Sequence, residues 1–393
     1  MFTKKLAKLF SQLFSSFYPN QRSFHSPIYP LSMLKVMFFA FTVILLMPNV
    51  EFTCHSRFAF RDFNCFLSLT KQLKCFGDNQ SGQLGKGHSN NLGDNSGEMG
   101  DYLSYVQIQE DIIQVSSGAT QICILSSTFQ VFCWGAGNVG QLGYGDTQNR
   151  GDLSNEMGEY LPPVDFGLSS SLVSEVGCGF SHCLILTDDQ KIKAWGFNSE
   201  GQLGYGDTSS RGGSGSEMGT YLNEVDLNSG FNNVEGIRIM YASSCVFSLS
   251  SNQLACWGSN FIGQLGLGHP NNIGDGPDEM GEYLQSVLLP SGVVVSKLEI
   301  GWYHAGIISS SSNQLFLWGY NGDGQLGVGS SSNIGDDTNE MGNYLKATNL
   351  GSGRYGIDFE GGEEHTVLIK TIHFYISLFF NLFSSVLFWT ISM

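Results

Sequence analysis

Charge is scarce in this chain. Only 14% of its 393 residues are Asp, Glu, Lys or Arg, and proline occurs 9 times. Disordered chains combine high charge and much proline with few aromatics. Here aromatics reach 13%, so a disordered chain is excluded and a compact, turn-rich core is implied. The local signatures of common chemistry are also missing. The chain holds no His-Glu-x-x-His, no Gly-x-Ser-x-Gly, no Walker loop and no dinucleotide fingerprint. These absences argue against an enzyme and call for no cofactor. Basic residues are rare beyond the N-terminal part: from Phe76 onward, 10 of them face 33 acidic residues. Such a surface repels phosphate backbones and disfavours nucleic acid as a partner.

Glycine is abundant, with 50 residues, and its placement is periodic. Gly-Gln-Leu-Gly begins at Gly82, Gly140, Gly201, Gly263 and Gly324, at spacings of 58, 61, 62 and 61. A second marker, Glu-Met-Gly, begins at Glu98, Glu156, Glu217, Glu279 and Glu340 with the same spacings. Between markers lie short β-branched and aromatic runs bounded by Gly, Asn and Ser, which is strand grammar. Four runs end in Trp-Gly, at Trp134, Trp195, Trp257 and Trp318; the first copy has Phe76-Gly77. A long internal period of short strands predicts an all-β fold, a β-propeller of short antiparallel blades. About five full repeats and a partial sixth are expected. The glycines would supply positive φ and close backbone approach, while the repeated Trp, Leu and Met fill the space between blades.

Trp134-Gly135, followed by Asn138 and Gly140-Gln141-Leu142-Gly143, with its equivalents around Trp195, Trp257 and Trp318, resembles repeats of the regulator of chromosome condensation family. The resemblance runs from about Cys65 to Lys370. It implies a propeller of four-stranded blades, usually seven, and a possible link to guanine-nucleotide exchange on Ran, the activity of the founding member. This chain departs from that pattern in having too few repeats, and no Trp-Gly hairpin follows Lys370. Two further activities known in the family fit less well. Light sensing needs clustered tryptophans, and only Trp302 lies outside the Trp-Gly set within the repeats. Ubiquitin ligation needs an added catalytic domain, for which the sequence leaves no room.

Both ends are hydrophobic. Val36 to Met47 reads as a signal or anchor segment behind Lys35, and Thr371 to Met393 lacks Asp, Glu, Lys and Arg over a length able to cross a bilayer. The expected organisation is an N-terminal segment 1–53, a repeat domain 54–370 and a hydrophobic segment 371–393. Cysteines recur across hairpins as Cys65 with Cys75, Cys123 with Cys133, and Cys245 with Cys256. Adjacent strands lie within disulfide reach. Cys183 takes the first hairpin position in the third copy, with Ala194 at the second, and Cys178 could pair with Cys183 or with Cys54. Read as disulfides, these pairs imply an oxidising compartment; metal binding, which no Cys-x-x-Cys or clustered His accompanies, and buried free thiols are the rival readings. Asn79-Gln80-Ser81 fits a glycosylation sequon.

The expectation is therefore a non-enzymatic scaffold for a protein partner of unknown identity, secreted or membrane-tethered through a terminal segment. The alternative is an exchange factor or regulator of a small GTPase, cytoplasmic or nuclear. Two polar features are left over. The acidic loops before Glu-Met-Gly could gather carboxylates for Ca²⁺, although capping is the plainer role. His182, His304 and His365 recur near one place in the repeat and suit strand-capping hydrogen bonds.

Overall fold

A computed structural model describes residues 59–370, apart from 61, 232, 353, 363 and 364. The strands form six antiparallel sheets, each built from consecutive strands. Sheet 1 holds β1 (Ala59–Phe60), β2 (Phe63–Leu67) and β3 (Leu73–Gly77). Sheet 2 holds β4 (Ile112–Ser117), β5 (Gln121–Ser126) and β6 (Val131–Gly135). Sheet 3 holds β7 (Val173–Cys178), β8 (His182–Thr187) and β9 (Ile192–Gly196). Sheet 4 holds β10 (Gly236–Ile239), β11 (Ser243–Ser248) and β12 (Gln253–Gly258). Sheet 5 holds β13 (Val295–Ile300), β14 (His304–Ser309) and β15 (Leu315–Gly319). Sheet 6 holds β16 (Gly356–Gly361) and β17 (Thr366–Lys370).

The first strands of sheets 2 to 6 are neighbours in sequence order, β4 beside β7, β7 beside β10, β10 beside β13 and β13 beside β16. This is the stacking of successive blades in a propeller-type fold. It explains the run composition. A middle strand such as β5 or β8 is covered on both faces by its sheet's neighbours, and all six of its residues are buried. Such strands read as continuous apolar runs rather than alternating ones.

Among the described residues, sheets 1 to 5 have three regular strands and sheet 6 has two, not the four per blade that the family resemblance implies. At the fourth position a single antiparallel bridge remains, Gly77 with Leu92, Gly135 with Arg150, Gly196 with Arg211, Gly258 with Ile273 and Gly319 with Ile334. The chain cannot extend the ladder there because its next residues turn into the acidic loop. Their N–H groups bond to a glutamate instead, as described below. A little further on, Val106, Val164, Val225, Val287 and Thr348 each return one N–H to the third strand of their own sheet.

Cys65 is directly opposite Cys75, Cys123 opposite Cys133 and Cys245 opposite Cys256, and each pair is disulfide-bonded. A fourth bond joins Cys178 to Cys183, between β7 and β8. The placement of Cys183 differs from the sequence expectation. The hairpin position in this sheet belongs to Leu184, opposite Ala194, whereas Cys183 is opposite Trp195. One residue along a strand reverses the face, so Cys183 looks to the other side of its sheet. The hydrophobic segments 36–47 and 371–393, and Cys54, lie outside the described residues. Among the described residues no helix is long and apolar enough to cross a membrane.

Candidate functional site: an aromatic edge held by the blade seams

The two sequence markers meet between blades. The indole N–H of Trp134 donates to the Gln83 carbonyl of the preceding copy at 3.1 Å. Trp195 does the same to Gln141 at 2.9 Å, Trp257 to Gln202 at 3.1 Å and Trp318 to Gln264 at 3.1 Å. The first glycine of each marker lies against the next copy's acidic loop. A Cβ on Gly82 would sit 2.4 Å from Asp152 N, and one on Gly201 would sit 2.3 Å from Asp275 N. Gly140 meets Gly213 N and Gly263 meets Asp336 N in the same way, each with a Cβ distance of 2.3 Å. These positions have φ between +75° and +82°, which favours glycine sterically. For Gly324, no described atom of a neighbouring loop comes within 4 Å. Met157, Met218, Met280 and Met341 are buried at the seams, whereas Met99, in the first copy, is 40% exposed.

The glutamate of each Glu-Met-Gly shapes its own loop. Glu156 Oε2 accepts the N–H groups of Gly151 and Leu153 at 2.9 Å, and Glu217 Oε2 accepts those of Gly212, Gly213 and Ser214. Glu98, Glu279 and Glu340 repeat the pattern. These glutamates thus hold the acidic loop to its own backbone, the capping role expected as the plainer one. Burial, then the neighbouring Asp152, pushes the Glu156 carboxyl above its usual range; burial, then Glu279, does the same to Asp275. Asn79, the sequon residue, is buried. Its Nδ2 donates to the carbonyls of His88 and Asn90, and its Oδ1 accepts from Leu84 N–H. A glycan on that nitrogen would displace the loop, so the sequon is not a presented acceptor.

At the same end of the strands as Trp-Gly, where Gln121 is opposite Gly135 and His182 opposite Gly196, the turns between first and second strands form a line across the blades. Ala119 N–H donates to the Phe180 carbonyl, Phe180 to Tyr241, Tyr241 to Trp302 and Trp302 to Gly362, at 2.9–3.2 Å. Glycine precedes most of these residues because the next turn's carbonyl approaches so closely. A Cβ on Gly179 would lie 2.3 Å from Met240 O, and one on Gly301 would lie 2.5 Å from Gly362 O. The backbone frame is the same from Ala119 to Trp302, but the side chains differ. Phe180 and Tyr241 have ring centroids 4.3 Å apart, Tyr241 is 5.1 Å from Tyr303 and 5.6 Å from Trp302, and Tyr303 is 6.4 Å from Tyr320. Phe180 is exposed and the other four are half-buried. Aromatic groups of this kind, fixed at one end and wet at the other, are the usual anchors of protein interfaces.

Behind this edge sit the recurring histidines. His182 Nε2 pairs with Ser244 Oγ at 3.1 Å and His304 Nε2 with Thr366 Oγ1 at 2.9 Å. Each partner belongs to the next blade, so these bonds join sheets rather than cap a strand. Burial lowers the His182 pKa to about 3; burial, then the neighbouring His365, lowers that of His304 to about 4. Neither acts as a proton carrier near neutrality. Sequence reasoning missed the aromatic edge. Its signal was the spacing of 61 that relates Ala119, Phe180, Tyr241 and Trp302, hidden because no two of these residues are alike.

Interlocked blades and a non-catalytic aromatic edge define a repeat module of the propeller class. Comparison with known proteins narrows this. Models described as the regulator of chromosome condensation (RCC1) repeat match residues 130–186 and 173–202. The chain belongs to the RCC1-repeat family. It is 30% identical over 271 residues to the Ultraviolet-B receptor UVR8 of Arabidopsis thaliana, across 66% of this chain and 52% of the relative. The chain thus spans about half the length of that curated relative. Among solved structures, human WBSCR16 matches with a TM-score of 0.58 at 19% identity, over 80% of this chain and 71% of that one. Prp20p from Saccharomyces cerevisiae, described with its binding properties to Gsp1p and histones, matches with a TM-score of 0.58 at 18% identity, over 83% and 70%.

These findings correct the expectation of a secreted or membrane-tethered scaffold in the secretory pathway. The Prp20p structure is described with Gsp1p and histones, and among the described residues no helix is long and apolar enough to cross a membrane. The disulfides no longer carry a compartment. Strand register alone brings each hairpin pair to a Cα separation of 4.1 Å, whatever the surroundings.

Proposed function

We infer that the chain is a protein-docking propeller that engages and regulates a small GTPase of the Ran type. The observation that carries this reading is the aromatic edge: Phe180, Tyr241, Trp302, Tyr303 and Tyr320, presented from three consecutive blades on one hydrogen-bonded frame. Large, rigid side chains on a fixed frame bind with little ordering cost. The acidic excess from Phe76 onward suits a partner with a basic face and speeds its approach. The family relationship supplies the GTPase class. Within this reading the repeat domain is residues 54–370, with five full blades and a partial sixth. Light sensing is not favoured, because the aromatic edge holds one tryptophan, Trp302, among tyrosines and a phenylalanine.

The test is nucleotide release. A purified Ran-type GTPase loaded with a fluorescent guanine nucleotide should lose it at least tenfold faster when the chain is added. An unchanged rate, together with no complex in a binding measurement, would reject the reading.

A further inference from the structure

Two disulfides touch across the seam between sheets 2 and 3. Cys123 Sγ lies 3.8 Å from Cys183 Sγ, and the ligand atoms of Cys123, Cys178 and Cys183 all lie within 4.8 Å of one another. Cys133 Sγ is one bond from Cys123 Sγ. The one-residue offset of Cys183 causes this meeting. Cys123 faces sheet 3, and Cys183, turned to the other side of its own sheet, faces back. The four residues lie in one apolar cluster with Val176, Trp195 and Leu142. Cys123, Cys133 and Cys183 are fully buried and Cys178 is 6% exposed. The pairs Cys65–Cys75 and Cys245–Cys256 belong to other clusters.

We propose that Cys123, Cys133, Cys178 and Cys183, once reduced, form a closed thiolate site for a soft cation of the Zn²⁺ type, bridging the two blades. A tetrahedral Zn²⁺ site with Zn–S bonds of about 2.3 Å has sulfurs about 3.8 Å apart. The Cys123–Cys183 contact already has that spacing. Four sulfur ligands select Zn²⁺ or Cu⁺ over Ca²⁺ or Mg²⁺, and burial leaves no open position for a substrate, so the site is structural. Formation is balanced as follows. Each disulfide takes two electrons and two protons from an added dithiol, which becomes its own disulfide. The cation then displaces thiol protons to solvent, so binding strengthens as pH rises. Two links within blades are thereby exchanged for one link between blades.

The test uses the full chain, reduced with a dithiol and kept free of oxygen, titrated with Co²⁺ as the spectroscopic probe. One equivalent should bind with the thiolate-to-cobalt charge-transfer and visible bands of tetrahedral sulfur ligation. It should also raise the melting temperature of the reduced protein. Replacing Cys123 and Cys183 by Ser should weaken binding at least 100-fold, while Cys65→Ser with Cys75→Ser should bind as the parent does. The oxidised protein should bind none. Absence of the bands in the reduced parent overturns the proposal, and needs no variant that might fail to fold. So does a band that survives loss of Cys123 and Cys183 or that the oxidised protein also gives.

Discussion

The seams and the aromatic edge are built on the same repeat, yet they treat sequence in opposite ways. At four seams the side chains hardly vary: Trp134, Trp195, Trp257 and Trp318 each donate to the carbonyl of a Gln in the preceding copy. At the edge the backbone bonds recur while the side chains run from Ala119 through Phe180 and Tyr241 to Trp302. Repetition of a residue marks a position where every blade faces the same neighbour. Divergence on a constant backbone marks a position free to face something else. Stability should therefore reside at the seams, and recognition at the edge.

Breaking a seam should cost most. Trp195 is fully buried and bonded to Gln141, so Trp195→Ala should lose about 3–5 kcal/mol in a denaturant titration. Acid should come next. His182 is neutral in the folded state, with a pKa of about 3, whereas an unfolded imidazole titrates near 6.5. A depressed folded value means that the stability is fully present above about pH 6.5 and lost as pH falls towards 3. By pH 4 the loss should be about 2–4 kcal/mol, and His182→Gln should flatten that part of the stability–pH curve. Gly201→Ala forces a Cβ against Asp275 at a φ of +75°, and should cost about 1–3 kcal/mol in the same titration. The smallest loss belongs to the edge. Trp302→Ala should cost about 1 kcal/mol of stability while weakening partner binding tenfold or more.

Much of this was legible in the sequence, for a physical reason. Two markers in constant register must be kept so by a contact, and the contact is the seam, where Gly82 lies on Asp152 and Trp134 reaches Gln83. The hairpin cysteines were equally readable, since a turn between two strands sets Cys123 opposite Cys133. Three things were not. The meeting of Cys123 with Cys183 depends on which face each side chain takes, and a single offset in register decides that. The burial of Asn79 depends on a loop that folds back over it, which a sequon does not disclose. The aromatic edge hid behind its own variety, because a search for repeated residues passes over Phe180, Tyr241 and Trp302. The role of the Glu-Met-Gly glutamates was not legible either, because it depends on glycine-rich backbone folding back to offer N–H groups to Glu156 and Glu217.

The most direct measurement sets stability and recognition side by side. Tyr241→Ala with Trp302→Ala, and separately Gly201→Ala, would each be compared with the parent in thermal melting and in nucleotide release from a Ran-type GTPase. At a temperature where all three proteins are folded, the edge variant should melt close to the parent and lose at least nine-tenths of the release activity. The seam variant should melt lower and keep it. An edge variant that matches the parent in release would contradict the division of labour between seam and edge.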